Sequence, residues 1–443
     1  MQCPQCHTQL DDDTVFCGNC GKQLAPFQAQ GATVTYKTEA ADDELPTIIS
    51  GQSSQRSASQ MPARNYISQP DTPYIPSSTP PPARKSNTRR IVFIVVLILL
   101  IIGIVAAGTI AVLKNYTTAK NNNPGTSSLA SNATGVVNFR DNLNGSGRSN
   151  VVTLSVSGLA APPADSQYNA WIVDTKSERS TALGALTKNK DGTYTTKLTN
   201  GQQNVLSLGN KVEVTLEQGS ATVPTGQVIL SATFPPKAFV HIKHLLVSFP
   251  DTPGKIGLLV GLGDQAQKLS SASQLLQSIA ASQNSTAIGC AAQSIINIAE
   301  GTQGSHYQPL PNNCASQNIA ESGDGYGLLG TGGYIANGEA HASLAATQSD
   351  TTSTIRVHAG HVAICLENMK GWITTIDKDA QSLLNNPTDT AKVQEIVTLA
   401  NHALNGVDAN GDGSIDPIPG EGGAATAYYH GQLMSALVLA PGS

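Results

Sequence analysis

The stretch Ile91–Leu113, IVFIVVLILLIIGIVAAGTIAVL, holds no charged residue over its 23 positions and cuts the chain in two. At about 1.5 Å rise per residue it makes roughly 35 Å of helix, enough to cross a hydrocarbon core of about 30 Å with some tilt. It lies too far along the chain, and is too long, to be a cleavable signal peptide. Arg84, Lys85, Arg89 and Arg90 crowd its N-terminal flank, whereas only Lys114 and Lys120 follow closely. Positive-inside bias therefore predicts a single-pass membrane protein with residues 1–90 cytoplasmic and the rest extracytoplasmic. Gly103, Ala107 and Ala111 form a small-residue stripe through which two such helices would approach, predicting a homo-oligomer.

Composition agrees with a surface protein. Of 26 Lys/Arg and 31 Asp/Glu, eight of each precede the apolar run, so the net charge of −5 belongs to the segment after it. A mildly acidic exterior gives no electrostatic basis for nucleic acid. The seven cysteines divide along the same line. Cys3, Cys6, Cys17 and Cys20 fall on the reducing side, where paired thiols signify metal. Cys290, Cys314 and Cys365 fall where disulfides form, and Cys290 with Cys314 is the favoured pair, with Cys365 left open as a partner.

Residues 1–24 read MQCPQCHTQLDDDTVFCGNCGKQL, a Cys-x2-Cys pair, ten residues, and a second Cys-x2-Cys pair. Four thiolates at one tetrahedral centre leave no open position, so the expected Zn2+ is structural and holds a piece too small to fold without it. The pattern resembles the zinc ribbon at the N-terminus of many bacterial membrane proteins. Residues 25–90, rich in Pro, Ser, Thr and Gln, read as a disordered linker. Residues 91–113 are the membrane helix and 114–135 a polar stalk.

Beyond the stalk the period becomes two. Val152, Leu154 and Val156 alternate with polar neighbours, as do Val212, Val214 and Leu216 with Glu213, Thr215 and Glu217. Gly158, Asp191-Gly192, Asn200-Gly201 and Gly219-Ser220 punctuate the runs. This predicts an antiparallel β-sandwich over 136–235. YNAWIVD (168–174), LGALTKNKDGTY (183–194) and VEVTLEQGSATVPTGQVILSA (212–232) are similar to the extracytoplasmic C-terminal domain of anti-sigma-K factors. That family shows a Tyr-x-x-Trp strand, a Leu-Gly turn, an Asp-Gly hairpin, and a Thr-x-Glu strand before a Pro-Thr-Gly turn. The resemblance implies a β-sandwich beyond a single membrane helix and, in the family, a sigma factor as cytoplasmic partner. Family members hold that partner with a helical domain, where this chain has a ribbon and a linker.

From residue 236 to 443 the period turns helical, predicting an α-helical bundle with runs at Lys255–Ser282, Ala287–Ala299, Ile335–Ala346, Thr354–Leu384, Thr390–Leu404 and Ala424–Leu439. Two features there carry chemistry. Asp408, Asn410, Asp412, Ser414 and Asp416, with Gly413 at the sixth position, make the first nine places of an EF-hand-type loop. Its twelfth place is Pro419, with Glu421 two residues on as a substitute, so a structural Ca2+ is expected. The other feature is histidine placement. His358, His361 and Cys365 fall at i, i+3 and i+7, with Met369 a turn further, on one helix face. His241 and His244 repeat the His-x-x-His step, and His341 stands on a neighbouring helix. Bundle cores build metal or haem sites this way, and also hold histidines that are only hydrogen-bonded. Glu300 and Glu339 are the carboxylates at hand, off the spacing of a Glu-x-x-His repeat. No Cys-x-x-Cys-His is present, which excludes covalently attached haem.

The whole reads as a multidomain, membrane-anchored regulatory, sensor or scaffold protein with ligand- or partner-binding domains outside. The alternative is a membrane-tethered metal- or haem-binding protein acting through its bundle. No Ser/His/Asp or paired-carboxylate arrangement points to an enzyme.

Overall fold

The computed structural model describes residues 129–130, 132–142, 148–320 and 323–441, all within one compact unit. The ribbon with Cys3, Cys6, Cys17 and Cys20, the linker and the apolar run 91–113 lie outside the described residues. Among the described residues no helix is long and apolar enough to cross a membrane.

Eight strands come first: β1 (Thr134–Arg140), β2 (Val151–Ser157), β3 (Ser166–Asp174), β4 (Arg179–Ala185), β5 (Thr187–Lys188), β6 (Tyr194–Thr199), β7 (Lys211–Gln218) and β8 (Gln227–Thr233). Eight helices come next: α1 (Pro236–Leu246), α2 (Leu258–Ala280), α3 (Ser285–Glu300), α4 (Asn312–Ala315), α5 (Tyr334–Thr347), α6 (Ser353–Asn385), α7 (Thr390–Asn405) and α8 (Ala424–Leu433). The chain then returns to the sheet as β9 (Leu437–Pro441).

The expected sandwich is one continuous antiparallel sheet of order β4-β3-β7-β8-β9-β1-β2-β6-β5, curled towards a barrel. Its ends approach where Thr196 Oγ1 of β6 donates to the Leu183 carbonyl of β4 (3.3 Å). β9 joins the two halves, pairing Val438 with Val136 of β1 and Ala440 with Ser231 of β8. The helical run expected through Leu439 therefore ends at Leu433, and its last residues are a strand.

The alternating polar face expected for β7 is not solvent-facing: Glu213, Thr215 and Glu217 are buried with their apolar neighbours. Glu213 pairs with Lys211 (2.7 Å), and a hydrogen-bond chain makes the burial of the other two tolerable, since a buried polar group is costly only when unpaired. Trp171 Nε1 donates to Thr215 Oγ1 (2.8 Å), and Thr215 donates to Glu217 Oε1 (2.6 Å). Thr225 supplies its amide and hydroxyl to the same carboxylate (3.1 and 2.9 Å). Burial pushes the Glu217 carboxyl up, but these donors and the Gly226 amide outweigh it and hold the group below its usual range. Gly226 is required where it stands, because a Cβ would lie 1.9 Å from the Leu216 carbonyl oxygen. The Tyr-x-x-Trp, Thr-x-Glu and Pro-Thr-Gly segments thus meet in one network.

Sheet and helices share one core. Phe234, after β8, stacks on Phe239 of α1 (4.0 Å between ring centres) and touches Phe139 of β1 (5.8 Å). Asp141, after β1, accepts from Tyr428 and Gln432 of α8 (2.8 and 2.7 Å), and Arg148 reaches Asp264 of α2 (2.7 Å).

The helical region is built twice on one plan. α3 and α7 are each 16 residues long. Asn284 and Asp389 cap them by accepting from the amides of Ala287 and Lys392. Both end at a glycine with a left-handed φ, Gly301 (φ 70°, ψ 179°) and Gly406 (φ 83°, ψ −175°), where a side chain would be strained. The long helix before each is broken in the first half, α1 and α2 around Pro250, Pro253 and Gly254, and continuous in the second as the 33-residue α6. The last helix of each half, α5 and α8, comes after a Gly-x-Gly-Gly segment, 330–333 and 420–423.

Candidate metal centres

α1 buries Ala238, Phe239, Ile242, Leu245 and Leu246, which places His241 and His244, three residues apart, at the half-buried margin of the core. α5 packs on α1 and brings His341 between them. His341 Nδ1 stands 3.0 Å from His241 Nδ1 and 3.3 Å from His244 Nδ1. Gly338, one turn earlier on α5, faces α6 instead, where a Cβ would meet the Leu366 side chain at 3.1 Å.

The second half repeats the arrangement. His358 and His361 on α6 face His430 on α8, with Nδ1–Nδ1 distances of 2.9 and 3.3 Å. His430 is buried, the other two half-buried. Gly431 lets α8 settle onto α1 and α2, since a Cβ there would lie 2.6 Å from Leu259 and 3.2 Å from Leu246. In each cluster the three ligand atoms fall within 4.8 Å of one another.

Burial, then the neighbouring imidazoles, lowers the His341 pKa to about 4; burial lowers that of His241, and burial with His241 and Lys243 lowers that of His244. In the second cluster His358 falls to about 4 and His430 to about 2, Arg140 adding to the effect on both, and burial lowers His361. All six are thus neutral near pH 7, the form that ligates metal. Beyond the first cluster, the Gln348 amide lies 3.1 Å from His241 Nε2.

His358 and His361 therefore come together as a ligand pair, but Cys365 and Met369 do not join them. The Cys365 thiol is buried against Gly422, and burial pushes its pKa up. Met369 is in the core. The 2.9 Å between the Nδ1 atoms of His358 and His430 leaves no room for a porphyrin plane between those two nitrogens. Glu339 belongs to neither cluster, and Glu300 instead binds His306 (2.6 Å) beside Asp377. Burial and then the Glu300 charge raise the Asp377 pKa to about 6.

Cys290 and Cys314 form a disulfide with Cα atoms 5.5 Å apart, and Cys365 is free. In the acidic loop, Asp408 accepts from the amides of Gly411, Asp412 and Gly413 (2.8–3.1 Å). Asn410 and Asp412 accept from the amides of Asp412 and Ser414, and the Ser414 hydroxyl also donates to Asp412 (2.7 Å). Buried Glu421 accepts from Asn410 and Asp416 (3.2 and 3.0 Å). The carboxylates of Asp408, Asp412 and Asp416 are not gathered into a ligand group as the two histidine clusters are.

His430 is the ligand that sequence periodicity does not reveal. It sits on a helix buried all round, so no apolar stripe marks its face. The repeat is the sign that finds it. Val240-His241-x-x-His244 recurs as Val357-His358-x-x-His361, and His341-x-x-Leu344 recurs as His430-x-x-Leu433.

Residues 92–228 match the family model described as Anti-sigma-K factor rskA, C-terminal, and residues 2–24 match that of the zinc-ribbon domain. No curated protein and no solved structure matches the chain. The first match supports an anti-sigma-factor-like regulatory role with a protein partner such as a sigma factor. The second is consistent with zinc.

Proposed function

We propose that the chain is a single-pass membrane regulator of anti-sigma-factor type, with ribbon and linker cytoplasmic and the near-barrel and helical region outside. In this reading Cys3, Cys6, Cys17 and Cys20 hold a structural zinc, and the cytoplasmic segment engages the protein partner. The observation that supports it best is the extent of the family match, which begins within the apolar run and ends in β8. The position of β9 adds a physical link. A helical region whose last strand completes the sheet between β1 and β8 can pass a binding event outside to the β domain, which follows the apolar run in sequence.

Protease treatment of intact cells is expected to remove the region from residue 135 onward and spare the ribbon; the reverse pattern overturns the topology. Cross-linking from residues 1–90 in cells is expected to trap a sigma factor. Its absence from the cross-linked species overturns the regulatory part.

A further inference from the structure

We propose that the helical region carries two transition-metal sites, His241/His244/His341 and His358/His361/His430, each a three-imidazole centre for a late first-row divalent ion of the zinc class. The inference is independent of the regulatory reading and rests on geometry.

Two nitrogens each about 2.0–2.1 Å from one tetrahedral ion lie roughly 3.3 Å apart. The Nδ1–Nδ1 distances are 3.0 and 3.3 Å in the first cluster and 2.9 and 3.3 Å in the second, close to that separation. Hydrogen bonding alone serves such a trio poorly. A neutral imidazole carries one N–H and one in-plane lone pair, and the central Nδ1 of His341 or His430 faces two other Nδ1 atoms at once. If it donates, one contact is unserved; if it accepts, two donors compete for one lone pair. A single cation engages all three lone pairs.

The donor set indicates the metal. Imidazole nitrogens without thiolate or carboxylate suit zinc, copper and nickel rather than calcium or magnesium. Two ligands from one helix face and one from a crossing helix favour a tetrahedral over a square-planar ion. Three protein ligands leave a four-coordinate ion one position for an exogenous ligand, unlike the closed four-thiolate ribbon. With Nδ1 on the metal, Nε2 carries the proton, and a turn of the Gln348 amide presents its oxygen to His241 Nε2–H, as an outer partner that fixes the ring.

Recurrence is the second, independent observation. One trio of histidines can be an accident of core packing. The same step of three residues on one helix, the same lone histidine after a Gly-x-Gly-Gly segment, and distances agreeing within about 0.1 Å appear in both halves. The same three-imidazole arrangement stands in both halves although the connections between their helices differ in length and chemistry.

The test is zinc stoichiometry of the full chain in detergent, after loading and removal of free metal. Three zinc ions per chain are expected, one in the ribbon and one in each histidine cluster. His341→Gln and His430→Gln should each remove one, and together should leave the ribbon ion alone. With the ribbon blanked by Cys17→Ser and Cys20→Ser, two ions should remain, and Co2+ should show tetrahedral visible absorption without a sulfur-to-cobalt band. Circular dichroism checks folding. If His430→Gln does not fold, the half-buried His358→Gln and His361→Gln serve, each expected to weaken the second site more than about tenfold. A wild-type chain holding one zinc, unchanged by any histidine substitution, overturns the proposal.

Discussion

In the first half of the helical region the chain leaves α3 at Gly301 and wanders to Gly333 before α5 begins; in the second it leaves α7 at Gly406 and reaches α8 by Gly423. The long first connection is fastened by the Cys290–Cys314 disulfide and by Gln293 and Asn297, which donate to the carbonyls of His306 and Gln308. The short second one has no covalent tie. Its amides converge on the carboxylates of Asp408 and buried Glu421, and the Val407 amide bonds back to the Glu421 carbonyl (3.0 Å). The two connections do one job, holding a histidine-bearing helix against the His-x-x-His helix, with different chemistry. A long loop has much closure entropy to lose and gains most from a cross-link, whereas a short loop is held well enough by carboxylates that satisfy its own amides.

The largest expected effect is on the covalent side. For a bridge spanning 24 residues, Cys290→Ser with Cys314→Ser should cost about 3 kcal/mol in unfolding of the full chain. Faster hydrogen exchange should be confined to 301–333. Unchanged stability would mean that the side-chain bonds of Gln293 and Asn297 alone close the first loop, and the contrast would fail.

Next is Glu421→Ala, which orphans the amides of Asn410 and Asp416 and should cost about 1–3 kcal/mol. Glu421→Gln, keeping one acceptor, should fall between. A neutral result would show that the second connection is held by packing alone.

A pH test sharpens the comparison where the halves touch. Asp377 of α6 faces Glu300 at the end of α3, and its pKa is raised to about 6. The folded state therefore resists ionising it, so this position is least costly below the ordinary carboxylate range of about 4, and stability declines as pH rises through about 6. Asp377→Asn should raise the thermal midpoint at pH 7.5 and leave it unchanged at pH 4. An equal gain at both would assign the effect to packing.

The smallest effect concerns calcium at Asp408–Asp416. With millimolar calcium and an affinity of about 10⁻⁴–10⁻³ M, binding to the folded state would add only about 0.5–1.5 kcal/mol. That small rise in midpoint should vanish in Asp408→Ala with Asp412→Ala. Identical wild-type midpoints in chelator and in calcium would leave the loop held by its carboxylate-to-amide bonds alone.

Features of local period or spacing were legible in the sequence. The charge-free run, the two Cys-x-x-Cys pairs, the alternation in β2 and the helical periods of α2, α3, α6 and α7 each need only a short window, because a helix or strand repeats its face every few residues. The His-x-x-His steps were visible for the same reason. The features that only the tertiary structure decided depend on partners far along the chain. β9 becomes a strand because β1 and β8 offer it open edges, although it comes directly after a helix. Thr215 and Glu217 are buried against the alternation of their strand because Trp171 and Thr225 come from other segments to pair with them. His430 becomes a third ligand because α8 packs along α6, and the packing of whole helices sets a separation of 2.9 Å between nitrogens that are 72 residues apart in sequence.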